Sequence, residues 1–392
     1  MFQQLVILEN MPSSTDFYAV YWNRRPFVVR GLIPQNDIEE SIAADELAGL
    51  ALEEAPQSRV VRTSGDLKDW SCQFGPFSED DFVHYSDEGW ILLVQHVEQF
   101  HPQTAKLLRH FNFAPRWLMD DVMASYSTPG GTVGPHIDSY HVFLVQGQGT
   151  RRWRIGRHVI ENEVYVDGLD LKILANEYDG DEVVVKSGDV LYLPPRFAHE
   201  STTLENSLTF SVGFLGPKLS ELFCGYGQYL SEKEEYDQRY EGKDLTISSA
   251  GFKISSNAVN NFHSALSEQL GNKNFTEWLG TYFSGSTHEN FGNYSKRKVT
   301  PSMMDLRKKL DEGASLIKPE YVKFVITKTR SGSSRLGFDN RNFILRESQL
   351  PAIQKFAKEE LVNMKNTPSL NNDPVTLELL LVLYNYQALE FF

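Results

Sequence analysis

The 392-residue sequence predicts a mainly β chain with added α structure: a double-stranded β-helix, or jelly-roll barrel, then a helical stretch, then a small mixed domain. Three observations predict it. From about residue 122 to 215, short runs rich in Val, Leu, Phe, Tyr and Thr follow one another, separated by Gly, Pro and Asp turns. After Pro217 the spacing becomes helical, with aromatic stripes in place of alternation. A His-x-Asp pair, His136 and Asp138, is answered 61 residues later by His199, both halves standing at the ends of predicted strands.

Taken in order, "RRPFVVRGLI" (24–33) reads as a strand and 38–54 as one or two amphipathic helices. "GWILLVQHVEQFHPQTAKLLRHF" begins as a buried strand and continues as a helix. The barrel core, about 122–215, closes a first domain at 1–216. In 217–299 the segments 218–240, 257–270 and 274–287 have helical spacing, with Phe223, Tyr226 and Tyr229 on one side. From 300 to 392 the order is helix ("MMDLRKKLDEG"), strand ("YVKFVITKT"), strand ("SRLGFDN–NFILRE") and two helices, 352–365 and 375–385.

Hydrophobic content of 41% with 12% aromatic residues belongs to a folded chain. A net charge of −14 disfavours sequence-independent binding to nucleic acid and suits a basic protein or peptide as partner. Residues 300–392 hold 13 Lys and Arg against 11 Asp and Glu, so the acidity lies in the first 299. Cys72 and Cys224 stand 152 residues apart and read as reduced thiols. The first residues lack a basic n-region, and no apolar run approaches the ~18 residues of a membrane span. These features predict a soluble, cytoplasmic protein without membrane contact.

The His-x-Asp pair follows the turn Pro129-Gly130-Gly131-Thr132-Val133-Gly134-Pro135 and reads as part of a strand, so both side chains leave one face. His199 follows a strand and the rigid Pro194-Pro195 corner. Two imidazoles and one carboxylate leave the far side of a metal open, the facial triad of non-heme Fe(II) oxygenases. Arg151 lies fifteen residues after His136 on the next strand, where alternation pairs it with Trp153 and opposes it to Arg152 and Arg154. A guanidinium inside a barrel calls for an anion, and the distal carboxylate of 2-oxoglutarate is one. An exposed place in a basic cluster stays open for Arg151.

With these residues, "PGGTVGPHIDSY", "VQGQGTRRWRIG", "GDVLYLPPRFAHE" and "LENSLTFSVGF" resemble the JmjC-type 2-oxoglutarate oxygenases of the cupin class, and within them the bacterial ribosomal oxygenases. The likeness runs from about Trp22 to Pro217 and continues faintly to the C-terminus. It implies hydroxylation of an arginine in the sixteenth protein of the large ribosomal subunit, using Fe(II), 2-oxoglutarate and O2. It implies Ser211 beside Arg151 on the distal carboxylate, Tyr126 as a further hydroxyl there, and Asp121 with Tyr140 around the substrate arginine. It also implies a homodimer formed through 217–299 and a winged-helix-like domain at 300–392. A winged helix suggests DNA, but no basic recognition stripe supports that here.

Asp121 capping a turn remains the alternative for that residue, and Asn206 reads as a turn residue. The sequence departs from the family at Ser139 and His141, where relatives carry an amide and an acid. His141 has the wrong parity for the metal and reads as an outward or supporting imidazole. Two rivals stay open: a demethylase acting on N-methyl groups, and a non-catalytic barrel that grips a basic protein.

Overall fold

Alternation of bulky apolar with small polar residues decides how the first part of the chain closes. The computed structural model describes residues 4–63, 70–169, 171–233, 239–242, 252–285, 295–329 and 332–392, which form two compact units, Met1–Gly216 and Pro217–Phe392. In the first unit β1 is Val6–Leu8, β2 Phe27–Val29, β3 Ser58–Arg62, β4 Ser71–Phe74, β5 Trp90–Val94 and β6 Met119–Ser127. There follow β7 (His141–Gln148), β8 (Thr150–Val159), β9 (Gly180–Lys186), β10 (Val190–Leu193), β11 (Phe197–Thr203) and β12 (Ser207–Phe214).

Nine strands form one sheet in the order β1-β2-β10-β7-β12-β6-β5-β3-β4, and β11-β8-β9 form a second. Val142, Leu144, Leu191 and Leu193 of the large sheet meet Trp153, Ile155, Val183 and Val185 of the small one, giving the barrel its interior. On the outer face Val122, Phe143, Val145, Phe210, Val212 and Phe214 pack beneath Phe17, Leu47, Leu107 and Phe111 of the N-terminal region. Strand β12 is buried along its whole length. Its Phe and Val positions feed the outer core, while Thr209 and Ser211 line an internal cavity. That is why "SLTFSVGF" alternates small with bulky although both of its faces are covered.

The predicted strand 24–33 shortens to three residues, and 38–54 becomes two helices, Gln35–Glu39 and Ala44–Ala51. The pair His136 and Asp138 does not belong to a strand. The turn around Gly134 (φ +76°) leaves an extended loop, joined to β11 by one isolated bridge, and β7 begins only at His141.

In the second unit the helices are Leu219–Ser231, Ser256–Gly271 and Lys273–Ser284. The predicted helix 218–240 extends into 234–238, and that part lies outside the described residues, as do the ends of 274–287 and of the turn before residue 332. Phe223, Tyr226 and Tyr229 do not share a face. Three-residue steps turn a helix by about 300° each, so the first and last diverge by roughly 120°. Tyr226 is buried against Phe275 and Trp278, whereas Phe223 is 60% exposed.

Beyond the helix Met303–Asp311, β13 (Leu316–Ile317) pairs with β17 (Glu390–Phe391). A separate sheet joins β14 (Val325–Lys328), β15 (Ser334–Phe338) and β16 (Arg341–Leu345). The single predicted strand through "SRLGFDN–NFILRE" is therefore a hairpin. Asp339 and Asn340, both at positive φ, make its two-residue turn. The helix Lys273–Ser284 lies on this sheet, with the Asn342 amide donating to the Glu277 carbonyl at 2.8 Å. The helices Leu350–Ala357 and Pro374–Asn385 complete the core around Phe338, Phe356 and Leu380.

Candidate metal and cosubstrate site

His136, Asp138 and His199 place one ligand atom each within 4.8 Å of one another. The backbone of the loop sets this up. His136 N–H donates to the His199 carbonyl at 3.0 Å, and His199 N–H returns a bond to His136 at 2.9 Å. The Asp138 carbonyl accepts from Arg196 N–H at 2.8 Å, where Arg196 takes a left-handed conformation (φ +67°) just past the Pro-Pro corner. An irregularity in the β11–β8 register between Phe197 and His199 re-aims the imidazole.

The side chains are equally constrained. Nδ1–H of His136 donates to the Gly134 carbonyl at 2.9 Å, and Nδ1–H of His199 to the Phe197 carbonyl at 3.0 Å. Each bond fixes the tautomer that leaves Nε2 as the free donor atom, the arrangement a divalent metal requires. Burial, reinforced by the neighbouring His199, pushes His136 down to about 4, so it is a neutral ligand at physiological pH. Burial pushes the Asp138 carboxyl up, but its contacts with His199, whose Nε2 stands 3.5 Å away, and with the Tyr140 hydroxyl outweigh it and hold the group below its usual range. Two imidazole nitrogens and one carboxylate fit a hard-to-borderline divalent ion with open coordination positions.

Beside the triad lies a cavity of about 350 Å³, walled by Ile91, Leu93, Val142 and Leu144 and containing Arg151, Ser125, Ser201, Thr209 and Ser211. Arg151 is 2% exposed and Arg152 is exposed, as alternation along β8 requires. Its Nε donates to Ser207 Oγ at 2.7 Å. Among the described residues no carboxylate lies within ion-pairing distance of it, and burial alone pulls its guanidinium down to about 9. A buried cation without a counter-ion is a receptor for an anion. Ser211 reaches the same cavity wall from β12.

Tyr126 does not. On β6 the odd positions Met123 and Ser125 line the cavity, while Tyr126 belongs to the outer face, packed against the outer core with its ring 5.7 Å from Trp90. The period of two along a strand excludes it from the cosubstrate, so its predicted role is corrected. His141 is also on the outer face. It stacks on Trp22 at 3.6 Å, bonds Tyr192 through Nδ1 at 2.8 Å, and is pushed down to about 4 by burial. It faces away from the barrel interior, as the outward reading expects, and is half-buried against Trp22 and not in support of the metal ligands.

Asp121 and Tyr140 come together over Gly213, where a Cβ would stand 3.5 Å from Asp121 Oδ1 and 3.6 Å from the Tyr140 ring. Burial, then the charge of Glu98, raises the Asp121 carboxyl to about 7, with His96 opposing. Sequence reading missed this neighbourhood. His96, at φ +56°, offers its backbone N–H to Asp121 at 3.4 Å, and Glu98, 1% exposed, accepts from Val122 N–H at 2.8 Å.

Comparison with known proteins agrees with this geometry. A JmjC domain model matches residues 106–222. The ribosomal protein uL16 3-hydroxylase of Escherichia coli (strain K12) is 37% identical over 280 residues, 70% of this chain and 72% of that protein. A probable ribosomal oxygenase of Haemophilus influenzae is 38% identical over 211 residues, 53% of this chain and 51% of the other. The crystal structure of E. coli YcfD superposes with a TM-score of 0.83 at 29% identity, covering 96% of this chain and 98% of that one. The complex of that ribosomal oxygenase with cobalt and 2-oxoglutarate gives 0.80 at 28% identity, covering 97% and 98%.

Proposed function

The chain belongs to the JmjC-type ribosomal oxygenases, and from that premise we propose that it hydroxylates an arginine side chain of large-subunit ribosomal protein uL16. It is an Fe(II)- and 2-oxoglutarate-dependent oxygenase with a His-Asp-His metal site. The observation that carries the arginine is the pairing of Asp121 with Tyr140, whose ring lines the cavity: a carboxylate for a planar fork and a ring for its face. In this reading His136, Asp138 and His199 hold the metal, and Arg151 with Ser211 holds the distal carboxylate of 2-oxoglutarate. When bound, the metal, cosubstrate and O2 would supply the oxidant for an unactivated carbon, one oxygen atom going to that carbon and 2-oxoglutarate being converted to succinate and CO2. The protein's own part is to fix tautomers, neutralise the cosubstrate, exclude water with the apolar walls and aim one carbon at the metal.

The test is mass spectrometry of matched uL16 peptides after incubation with Fe(II), 2-oxoglutarate and O2. The arginine peptide gains one oxygen atom; replacing that arginine with lysine cuts the rate, because an ammonium lacks the fork. Equal rates on both peptides would overturn the arginine reading, and loss of a methyl group from an N-methylated peptide in preference would favour a demethylase. Asp121→Asn raises the peptide KM by roughly tenfold, the scale of one charge-assisted contact. The pH dependence has a definite sign. Below about 7 the Asp121 carboxyl is protonated and cannot pair with a cation, so the peptide KM falls as pH rises from 6 to 8. Asp121→Asn flattens that profile, and a flat wild-type profile would exclude Asp121 as the partner.

The acidic chain attracts a basic ribosomal protein at long range, so binding weakens with salt. Among the described residues no helix is long and apolar enough to cross a membrane. We further place a homodimer contact on the helix Ser256–Gly271, where Val259, Phe262 and Leu266 form an exposed stripe at 54%, 42% and 64%. Leu266→Asp is expected to shift the sedimentation mass from dimer to monomer; an unchanged mass would remove this helix from the interface.

A further inference from the structure

The major sheet does not stop at the barrel. Beyond β5 it continues through β3 to the edge strand β4, and one cross-strand row runs Phe74, Arg59, Leu93, Ser125, Thr209. All five of these side chains line the cavity. The row is therefore a continuous floor from the open edge of the sheet to the chamber that holds Arg151. Two residues at its outer end are unaccounted for. Phe74 is 69% exposed, a large ring left in water at the mouth. Arg59 is only partly exposed, yet among the described residues its guanidinium makes neither a hydrogen bond nor an ion pair.

The charges of the chamber are divided. Asp120, Asp121 and Glu98 act on one side, where Tyr140 feels all but Glu98. Arg59 bears on His136 and Tyr140 from β3. A guanidinium entering the site is thus drawn to one wall and repelled by the other. An extended polypeptide also brings carbonyl oxygens, and these suit a cation with five unused donors.

We propose that Arg59 and Phe74 form the second half of the substrate site, holding the polypeptide main chain beside the residue being oxidised. This rests on the reading of the protein as an oxygenase of a ribosomal polypeptide. Arg59 donates to a main-chain carbonyl of a flanking residue, Phe74 is covered by the same segment, and Asp121 takes the side chain.

The experiment compares wild type, Arg59→Met and Arg59→Lys on a long uL16 peptide and on a three-residue peptide centred on the same arginine. Oxygen incorporation is followed by mass spectrometry, and KM is measured for peptide and for 2-oxoglutarate separately. Arg59→Met is expected to raise the KM of the long peptide roughly tenfold, with Arg59→Lys recovering part of the loss. The three-residue peptide keeps only the carbonyls adjoining the arginine and none further along the floor, so it shows less than a twofold change. Replacing the acidic residues of the long peptide with amides leaves the Arg59 effect intact if the acceptor is main chain and removes it if the acceptor is a carboxylate, which would overturn the main-chain assignment. A rise confined to the KM for 2-oxoglutarate would assign Arg59 to the cosubstrate and overturn the proposal. Equal effects on both peptides would also overturn it. Wild-type activity with an unaltered Arg59→Met overturns this inference alone, whereas a wild type inert on every uL16 peptide overturns the proposed function and this inference with it.

Discussion

Removing any one of His136, Asp138 or His199 as alanine is expected to lower 2-oxoglutarate turnover by more than roughly 100-fold. Loss of a group that merely supports a ligand costs about 10- to 100-fold, and these three are proposed as the ligands themselves. The variants differ in what they leave behind. His199→Ala keeps the backbone bridge to His136, since both of its bonds are main-chain. Its circular dichroism should therefore match the wild type while metal affinity collapses. Asp138→Ala removes the only carboxylate of the set and frees the Tyr140 hydroxyl bonded to it. Succinate production, measured with metal in excess, checks all three, and normal turnover in any variant would remove that residue from the ligand set.

Arg151→Met is expected to weaken 2-oxoglutarate by roughly 10- to 150-fold, corresponding to about 1.5–3 kcal/mol for a charge-assisted contact. The effect on the empty protein should have the opposite sign. Among the described residues the guanidinium has no carboxylate partner, so an apolar side chain of similar length relieves a desolvation cost. The variant's Tm without ligand should equal or exceed that of the wild type, and the rise in Tm that 2-oxoglutarate brings should be lost. An unchanged affinity for 2-oxoglutarate would mean that another group meets the distal carboxylate.

Much of this site is legible in the sequence, because β periodicity carries it. The parity of Arg151 and Trp153 along β8 could be counted, and the spacing of His136 to Asp138 does not depend on fold details. The same counting failed at Tyr126. Its residue type suited the cosubstrate, but its face is decided by the pairing of β6 with β12, Tyr126 against Leu208, which lies 82 residues away. His141 was excluded from the metal by parity, yet its burial against Trp22 comes from a segment more than a hundred residues earlier. Arg59 reaches the chamber, and His96 and Glu98 reach Asp121, only because β3 and β5 extend the large sheet. Nothing local marks them. The loop around His136 reads as strand because it runs straight into the apolar strand that begins at His141, while Gly134 and Pro135 deny it a ladder.

Two of the three ligands ride on that loop, and it is pinned at separate points: the paired backbone bonds between His136 and His199, and the bond from Arg196 to the Asp138 carbonyl. Breaking a few such bonds costs far less than unfolding a barrel whose strand β12 is buried on both faces. Metal uptake and release can then proceed by local opening of the segment while β12 and its neighbours stay packed. Metal exchange would be fast on the timescale of global unfolding, and the chain could lose its ion under chelation and regain it without refolding. Amide hydrogen exchange would register this as weak protection at His136 beside strong protection at Phe210.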